Sequence, residues 1–409
     1  MSSKRKSSAK AGSGSVLVPK LRFPEFQDAD GWDTAPGVEL FQQVNNREAR
    51  PGLPILAITQ EHGAIPRDMI DYNVSVTDKS LETYKEVCPG DFIISLRSFQ
   101  GGIEFSDYHG ICSPAYVVLR RRGRLSDAFY RQHFKSHDFI QQLTRNLEGL
   151  RDGKMISYKQ FSELQLLKPT LSEQQKIADC LNSADALIAA QGRKVEALRA
   201  HKKGLMQQLF PQEGETQPRL RFSEFEGAGE WSVKTLAKVA ENLDNRRVPI
   251  TSGDRVAGNV PYYGASGIVD YVEGYIFDED LLCVSEDGAN LLARTYPIAF
   301  AISGKTWVNN HAHVLRFKHG FTQKFVEVYL NSIKLDDFIT GMAQPKLNKA
   351  KLDSIPIPLP KEPEQKRIAD CLTSLDDLIA AETRKLDILK THKRGLMQQL
   401  FPFVGEDDA

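Results

Sequence analysis

The chain has 409 residues, of which 41% are hydrophobic and 26% charged, a composition that gives room for two or three packed globular domains. Its 53 basic and 53 acidic residues cancel, but this does not exclude a nucleic-acid partner, because the distribution of charge over the surface decides such binding. No apolar run approaches 18 residues and the five cysteines form no CxxC pair, so we expect no membrane span, zinc finger or disulfide framework, and a cytoplasmic location.

The beginning of the chain predicts a tail followed by a globular domain. Residues 1–19 are basic and lack the apolar segment of a secretory signal, so they predict a disordered tail. Residues 20–170 hold the β-prone runs "DFIISLRSFQGG" and "AYVVLRRRG", the helical pattern "DAFYRQHFKSHDFIQQLTRNL" and a last strand "LQLLKP". An α+β domain is therefore predicted in this region.

Residues 171–211 predict one long helix. Ser172 and Gln175 predict a capping box at its start, and Pro211 terminates it. A helix of about 37 residues would span about 55 Å. Apolar residues recur in alternating steps of four and three, as in the seam of a coiled coil: Ile177, Leu181, Ala184, Ile188, Val195, Leu198, Leu205 and Leu209.

The second half repeats this plan. Residues 212–361 predict another α+β domain, from the strand-like runs "IVDYVEGYIF", "LLCVSEDG", "IAFAIS" and "HVLRF", the helical pattern "QKFVEVYLNSIKLDDFITGM" and the strand "SIPIPLP". Residues 362–402 predict a second long helix, and 403–409 an acidic tail. Between 173–211 and 364–402, 26 of the 39 positions are identical, and the octapeptide "GLMQQLFP" ends both segments. "LRFPEF" at 21–26 returns as "LRFSEF" at 220–225, so the chain is a tandem duplication whose globular domains have diverged.

Three motifs that resemble catalytic or metal sites fail on inspection. "SGKT" at 303–306 has Ala299 where a phosphate-binding loop needs glycine, and "NVPY" at 259–262 lacks both the second-position proline of adenine methyltransferases and a cofactor loop. "NNHAHV" places His311 and His313 on one face of a predicted strand, with no third metal ligand nearby. We therefore expect a binding protein that has no catalytic or metal-ligating residues and holds no cofactor.

Two variable domains, each followed by a near-identical helix ending in "GLMQQLFP", resemble the specificity subunit of Type I restriction–modification systems. The stretches "VPYYGASGIVDYVEGYIFDEDLLCVSEDGAN", "GKTWVNNHAHVLR" and "SLETYKEVCPGDFIISLRSFQGGIEFSDYHGICSPAYVVL" are similar to parts of target-recognition domains, and the resemblance runs from about Lys20 to Pro402. It implies an α+β fold in which two target-recognition domains are joined by two long antiparallel helices that form a coiled coil with pseudo-twofold symmetry.

The same resemblance implies a function and partners. Each domain would read one half of a bipartite, asymmetric target in double-stranded DNA, and the helices would set the spacer. Two methyltransferase subunits and up to two restriction and translocase subunits would bind, and these partners would hold S-adenosylmethionine, ATP and magnesium.

DNA contacts are expected where polar residues meet flexible loops. In "LRSFQGG", Arg97 suits guanine, Gln100 suits adenine, and glycines allow close approach, although runs such as "GASG" are also ordinary turn sequences. The first-domain candidates are Arg97, Ser98, Gln100, Gly101 and Gly102, with Arg151 and Lys154 for phosphates. The second-domain candidates are Tyr263, Gly264, Ser266, Lys305, Asn309, Asn310 and His311, with Lys346 and Asn348 for phosphates.

Positions off the helix seam also match between the copies, which predicts a face that the same partner binds twice. On this hypothesis the octapeptide recurs because both helix ends need that surface. The candidates are Arg193, Lys194, His201, Gln207 and Gln208, with the copies Arg384, Lys385, His392, Gln398 and Gln399. The alternatives are a coiled-coil scaffold whose heads bind proteins, and a fused methyltransferase or nuclease, which would need a cofactor loop or paired carboxylates that the sequence lacks.

Overall fold

The computed structural model describes residues 17–47, 52–70, 81–145, 156–212, 214–341 and 344–403. Contacts divide the chain into two compact units. Unit 1 combines the chain up to Gln191 with the segment from Lys385 onward, and unit 2 is Gly192–Arg384. Most of the two expected tails, residues 1–16 and 404–409, lies outside the described residues.

Unit 1 contains ten described strands and five short helices. The strands are β1 Asp33–Pro36, β2 Phe41–Val44, β3 Leu56–Thr59, β4 Gly63–Pro66, β5 Lys85–Val87, β6 Phe92–Ile94, β7 Glu104–Phe105, β8 Gly110–Cys112, β9 Val117–Arg121 and β10 Gln165–Lys168. The helices are α1 Gly37–Leu40, α2 Ser98–Gly101, α3 Asp127–His133, α4 His137–Arg145 and α5 Tyr158–Glu163, with 3₁₀ turns at Pro24–Phe26 and Arg67–Met69.

Unit 2 has the same mixture of short strands and helices. Its strands are β11 Ser232–Thr235, β12 Ala240–Asn242, β13 Ala257–Gly264, β14 Gly267–Val272, β15 Phe277–Asp278, β16 Leu281–Ser285, β17 Ala299–Ile302, β18 Lys305–Val308, β19 Ala312–Phe317 and β20 Pro356–Leu359. Its helices are α7 Asn290–Ala293, α8 Gly320–Ser332 and α9 Lys349–Asp353, with 3₁₀ turns at Ser223–Phe225, Leu236–Lys238, Asp244–Arg246 and Asp336–Phe338.

The two units share the strand order of one four-stranded sheet although their sequences have diverged. Unit 1 has a sheet of order β2-β9-β6-β7, and unit 2 has the corresponding sheet β12-β19-β16-β17. The strand that enters each unit pairs with the strand that leaves it, β1 with β10 and β11 with β20, both antiparallel. Unit 2 adds the sheet β14-β13-β18-β15, in which β13 and β18 are parallel. In unit 1, this additional sheet is replaced by two separate two-stranded pairs, β3-β4 and β5-β8.

Two helices of 39 residues each, α6 Leu171–Leu209 and α10 Glu362–Leu400, contribute segments to both units. In unit 2, Lys194 contacts Glu382 at 2.5 Å, and Lys202 pairs with Asp376. In unit 1, the Lys393 amine lies 2.6 Å from an Asp185 oxygen. Within unit 2, later residues of α6 face earlier residues of α10, so the helix segments there are antiparallel. Among the described helices, none is both long and apolar enough to cross a bilayer.

The ends of the two octapeptides close the cores. Leu400 and Phe401 are buried in the main core of unit 1, where the Phe401 ring packs 5.5 Å from that of Phe129. Leu209 and Phe210 are buried in the main core of unit 2, in which Phe210 lies 4.9 Å from Phe325. Each octapeptide therefore packs into a globular core, which supplies a structural reason for its repetition that differs from the shared partner surface expected from the sequence.

The repeated "LRF" segment anchors the start of each long helix. Arg22 binds both carboxylate oxygens of Glu173 at 2.8 and 2.9 Å, and Arg221 binds those of Glu364 at 2.7 Å each. Both carboxylates are at least 97% buried, and each arginine also donates to a main-chain carbonyl of the following turn. Buried charges persist only when they are paired and hydrogen-bonded, which explains why both arginines recur with their glutamates.

Several details differ from the sequence-based expectations. Helix α6 begins one residue before Ser172, and the side chain of Thr170 accepts the Glu173 amide, so the expected capping box is wrong. The run "DFIISLRSFQGG" is a strand only over Phe92–Ile94, because the Ser98 hydroxyl accepts the Ser95 amide and starts a helical turn. The run "IVDYVEGYIF" is broken at Gly274, whose φ of +80° ends the strand.

Candidate nucleic-acid interface

The turn after β6 carries the first-domain candidates, and part of it is committed to the fold. Ser98 is 1% exposed and accepts the Ser95 amide at 2.9 Å, so its hydroxyl supports the turn from inside. Gly102 has a φ of +80°, and a Cβ there would lie 2.0 Å from the Phe134 carbonyl oxygen. The expectation that Ser98 and Gly102 serve a ligand is therefore corrected, because packing within unit 1 already requires both residues.

Three side chains outside the turn hold it in place. The Lys135 amine donates to the Gly101 carbonyl at 2.9 Å and to Glu104 at 2.5 Å. Burial lowers the pKa of Lys135 and raises that of Glu104, although each charge opposes the effect on its partner. Gln60, at the end of the β3 strand, donates to the Arg97 carbonyl at 3.4 Å. The side chains of Arg97 and Gln100 are left exposed on a supported turn.

Arg151 and Lys154, the expected phosphate contacts of the first domain, lie outside the described residues.

In unit 2, the structure brings most of the second-domain candidates into one cluster of loops. The Asn309 amide donates to the Tyr263 carbonyl at 3.0 Å, which joins the ends of β13 and β18. The Glu286 amide donates to the His311 carbonyl at 2.9 Å, and the Leu347 amide donates to the Glu286 carbonyl at 2.8 Å. These bonds tie together the loops that follow β13, β16 and β18 and the segment before α9.

The candidates within this cluster differ in how available they are. Asn309 is 7% exposed, and its side-chain oxygen accepts the His311 amide at 2.8 Å, so it shapes the turn. Asn310 and Ser266 are exposed. The His311 ring is 53% exposed, and its Nδ1 lies 2.7 Å from Asp287. The Ser266 hydroxyl lies 3.3 Å from that of Tyr296, an exposed aromatic residue that the sequence-based reasoning missed.

Tyr263 and Gly264 pack against neighbouring residues of unit 2. The Tyr263 ring stacks on Phe300 with centroids 6.0 Å apart, and burial raises the pKa of its phenol. A Cβ on Gly264 would lie 3.0 Å from Val269, so the loop is tightly packed there.

Of the remaining candidates, Asn348 and Lys346 contact other residues of unit 2, and Lys305 lies away from the loop cluster. The Asn348 side chain accepts the Lys351 amide at 3.0 Å as the N-cap of α9, so its expected role as a phosphate contact is corrected. The Lys346 amine is 53% exposed and 3.3 Å from Glu286. Lys305 begins β18 while Asn309 follows its end, about 13 Å away along the strand. It lies over the Tyr275 ring at 4.8 Å, away from the cluster.

A buried ionic network supports these loops. His313 is fully buried, with Nδ1 2.6 Å from Asp244 and Nε2 2.7 Å from the Leu347 carbonyl. Both ring nitrogens are therefore engaged by neighbouring groups of unit 2. Arg247 donates to Glu286 at 2.7 Å. His313 therefore does not share an open face with His311, because the strand begins at Ala312 and its ring is buried.

The same contacts explain the ionisation of the two carboxylates. Burial alone would raise the pKa of Asp244, but the hydrogen bond from His313 and the charge of Arg247 hold it below its usual value. Burial opposes ionisation of Glu286 too, but the hydrogen bond from Arg247 and the effects of His313, Arg247 and Lys346 together outweigh it and lower the pKa. The two carboxylates therefore stay ionised next to the loops that carry His311 and Lys346.

The candidate partner surface on the long helices is exposed in both copies. Lys194 differs from the other candidates because its amine is paired with Glu382. The main-chain carbonyls of Gln399 and Gln208 accept the amides of Leu21 and Leu220, at 3.0 and 2.9 Å, while their side chains face outward. The exposed candidates are Arg193, His201, Gln207, Gln208, Arg384, Lys385, His392, Gln398 and Gln399.

Comparison with known proteins places this architecture. A family model described as the Type I restriction modification DNA specificity domain matches residues 228–391. A Type I restriction enzyme specificity subunit of Methanocaldococcus jannaschii is 26% identical over 362 residues, which cover 80% of this chain and 81% of that protein. A Haemophilus influenzae protein, provisionally named a type I restriction enzyme specificity subunit, is 43% identical over 149 residues, 36% of this chain and 38% of that protein.

Solved structures agree at the level of the fold. The S subunit of a Type I restriction–modification system from M. genitalium matches 94% of this chain and 99% of its own, with a TM-score of 0.55 at 16% identity. A chain from a study of complex assembly in the type I system matches 91% of this chain and 98% of its own, with a TM-score of 0.56 at 15% identity. Residues 228–391 therefore match the Type I restriction modification DNA specificity domain, and the chain is similar over most of its length to a Type I restriction enzyme specificity subunit.

Proposed function

We propose that unit 1 and unit 2 each read one half of a bipartite, asymmetric sequence in double-stranded DNA. The observation that carries this proposal is the pair of sheets β2-β9-β6-β7 and β12-β19-β16-β17, which have the same strand order although the loops around them expose different side chains. The turn after β6 presents Arg97 and Gln100, whereas the loops around β16 and β18 present Asp287, Asn310 and His311. Equal scaffolds with unequal loops suit the reading of two different half-sequences.

The exposed groups have the chemistry of base and phosphate recognition. An arginine fork pairs with guanine in the major groove, and glutamine or asparagine pairs with adenine. In unit 2, the contact between His311 and Asp287 orients the imidazole, and Lys346 supplies a positive charge beside it for a phosphate. Lys135 and the buried His313 network hold these groups in place before DNA arrives, which reduces the entropy lost on binding.

The long helices would set the spacer and dock the catalytic partners. A 39-residue helix measures about 58 Å, more than one turn of B-DNA at about 35 Å. The repeated, exposed residues along α6 and α10 would bind two methyltransferase subunits, and up to two restriction and translocase subunits would join the complex. The chain would contribute recognition, while S-adenosylmethionine, ATP and magnesium would bind to those partners.

The test is co-expression with the candidate methyltransferase subunit, followed by mapping of methylated adenine across the host genome. We expect methylation at one split, asymmetric motif. Arg97→Ala should relax only one half of the motif and Asn310→Ala only the other. Arg124→Ala, which alters an exposed arginine on the loop between β9 and α3, is the matched control and should leave the motif unchanged.

Two results would contradict the proposal. If neither DNA binding nor methylation appears with the cognate subunit, the heads are better explained as protein-binding domains on a helical scaffold. If Arg97→Ala relaxes both halves together, the units do not read separate half-sequences.

A further inference from the structure

We propose that unit 1 contains a zinc-binding site formed by Glu86, Cys88 and His109. The backbone pairing of β5 with β8 brings these residues together. Glu86 lies opposite Ile111 and Val87 opposite Gly110, so the next pair outward is Cys88 and His109. Alternate residues of a strand and directly opposite residues of a pair share one face of the sheet. The pairing register therefore places all three side chains on the same face.

The donor atoms are already close to one another. One ligand atom from each of the three residues lies within 4.8 Å of the other two, and His109 Nε2 is 2.8 Å from Glu86 Oε1. Thiolate, imidazole and carboxylate bind zinc at about 2.0–2.3 Å, which separates the donors around a tetrahedral ion by about 3–4 Å. Small side-chain rotations would bring the three donors to those distances, with water as the fourth ligand.

Surrounding hydrogen bonds hold two of the proposed ligands. Asn46 donates to the second oxygen of Glu86 at 2.5 Å, which leaves Oε1 directed at His109. The Cys88 amide donates to Asp91 at 2.8 Å, and Asp91 is fixed by two bonds of 2.7 Å from Arg120. Supporting contacts of this kind orient metal ligands in known sites. The His109 ring is 41% exposed, so an ion and its water have access from solvent.

A second acidic and histidine cluster serves as a contrast. Asp244, Glu286 and His313 also lie within 4.8 Å of one another, but Arg247 binds Glu286 at 2.7 Å and approaches Asp244 at 3.4 Å. The guanidinium occupies the place of a cation there, and both nitrogens of His313 are used. In the unit 1 cluster, Arg120 donates two bonds to Asp91 and also contacts the Cys88 sulfur, so its guanidinium flanks the thiol, while Glu86 and His109 bond directly to each other.

Zinc binding at this site requires the thiolate of Cys88. Burial raises the pKa of that thiol, and the nearby Arg120 opposes this effect. As the zinc–sulfur bond forms, the proton passes to solvent. The ion would then join the loop at Asn46, the end of β5 and the loop before β8. The spacing of the three ligands matches no common zinc motif, which is why the sequence led us to expect no metal.

The experiment uses the full-length chain after removal of metal with a chelator. Zn²⁺ is titrated in competition with a chromophoric chelator, and Co²⁺ binding is followed by absorption. We expect one equivalent of metal and a thiolate-to-cobalt charge-transfer band in the near ultraviolet. Cys88→Ser should abolish that band and weaken zinc binding by at least about tenfold. Cys180→Ser, which alters a comparably half-buried cysteine on α6, should change neither.

The proposal is independent of whether the chain reads DNA. Zinc should raise the Tm of the wild-type chain, and His109→Gln, at an exposed position, should weaken zinc binding and reduce that rise. Zinc binding weaker than about micromolar would overturn the assignment. So would a cobalt band, or zinc affinity, that survives Cys88→Ser.

Discussion

Phe401 provides a direct test of how the duplicated chain is divided into units. The residue belongs to the second repeat in sequence, yet its side chain is 3% exposed in the core of unit 1, with its ring 5.5 Å from that of Phe129 and 5.4 Å from that of His133. Phe401→Ala removes a buried ring, which destabilises a domain by about 3–5 kcal/mol. Since 1.36 kcal/mol corresponds to a factor of ten, the opening equilibrium of unit 1 should rise by roughly two to four orders of magnitude.

Hydrogen exchange measured by mass spectrometry locates this loss. Amides of β9 and α3 should lose protection in Phe401→Ala, while those of β16 and α8 in unit 2 should not. Phe210→Ala, in the matching position of the first repeat, should give the reverse pattern. Phe403→Ala is the control, because that side chain is 48% exposed and should change protection little. If Phe401→Ala instead exposes the amides of unit 2, each octapeptide packs with its own repeat and the division of the chain is wrong.

Two further predictions concern buried charge. Burial lowers the pKa of His133 to about 3, against 6.5 in the unfolded chain, so the stability of unit 1 is complete above pH 6.5 and declines as the pH falls towards 3. Between pH 6.5 and pH 5, the free energy of unfolding measured in urea should fall by about 2 kcal/mol because of this histidine. His133→Leu should remove this part of the pH dependence. An equal pH dependence in the variant and the wild-type protein would contradict the prediction. Arg221→Met leaves Glu364 buried without its partner and should destabilise unit 2 by about 3–5 kcal/mol. Arg367→Met breaks the exposed ion pair with Glu224 and should lower the stability of unit 2 by less than about 1 kcal/mol. Equal losses of stability for the two variants in thermal unfolding would refute the distinction between the buried and the exposed pair.

Much of the fold is predictable because it depends on local patterns. The alternating four- and three-residue steps of apolar side chains predict α6 and α10 close to their full lengths. Prolines that follow Leu209 and Leu400 terminate both helices as expected. Short apolar runs such as "LLCVS" and "AFAI" correspond to strands β16 and β17. These features depend on neighbours in sequence, so the sequence contains the information needed to predict them.

The candidate site is less predictable because availability depends on partners far along the chain. Ser98, Asn309 and Asn348 have the residue types of DNA contacts, but their polar atoms are used by nearby amides. Lys135 and His313 support the exposed groups, but nothing in the neighbouring sequence indicates this role. Each acts through a contact with a main-chain carbonyl that lies 34 residues away in the chain.

The duplication, the two long helices and the divergence of the two heads were determined by the sequence itself, since repeats and periodicity are properties of residue order. Only the tertiary structure decided that the octapeptides end in buried cores, that both heads share one sheet order, and that Glu86, Cys88 and His109 meet on one face. Each of these depends on pairing between distant strands and helices. The physical reason is that burial and strand register are set by the whole fold, so identical residue types become core, support or exposed surface according to what packs against them.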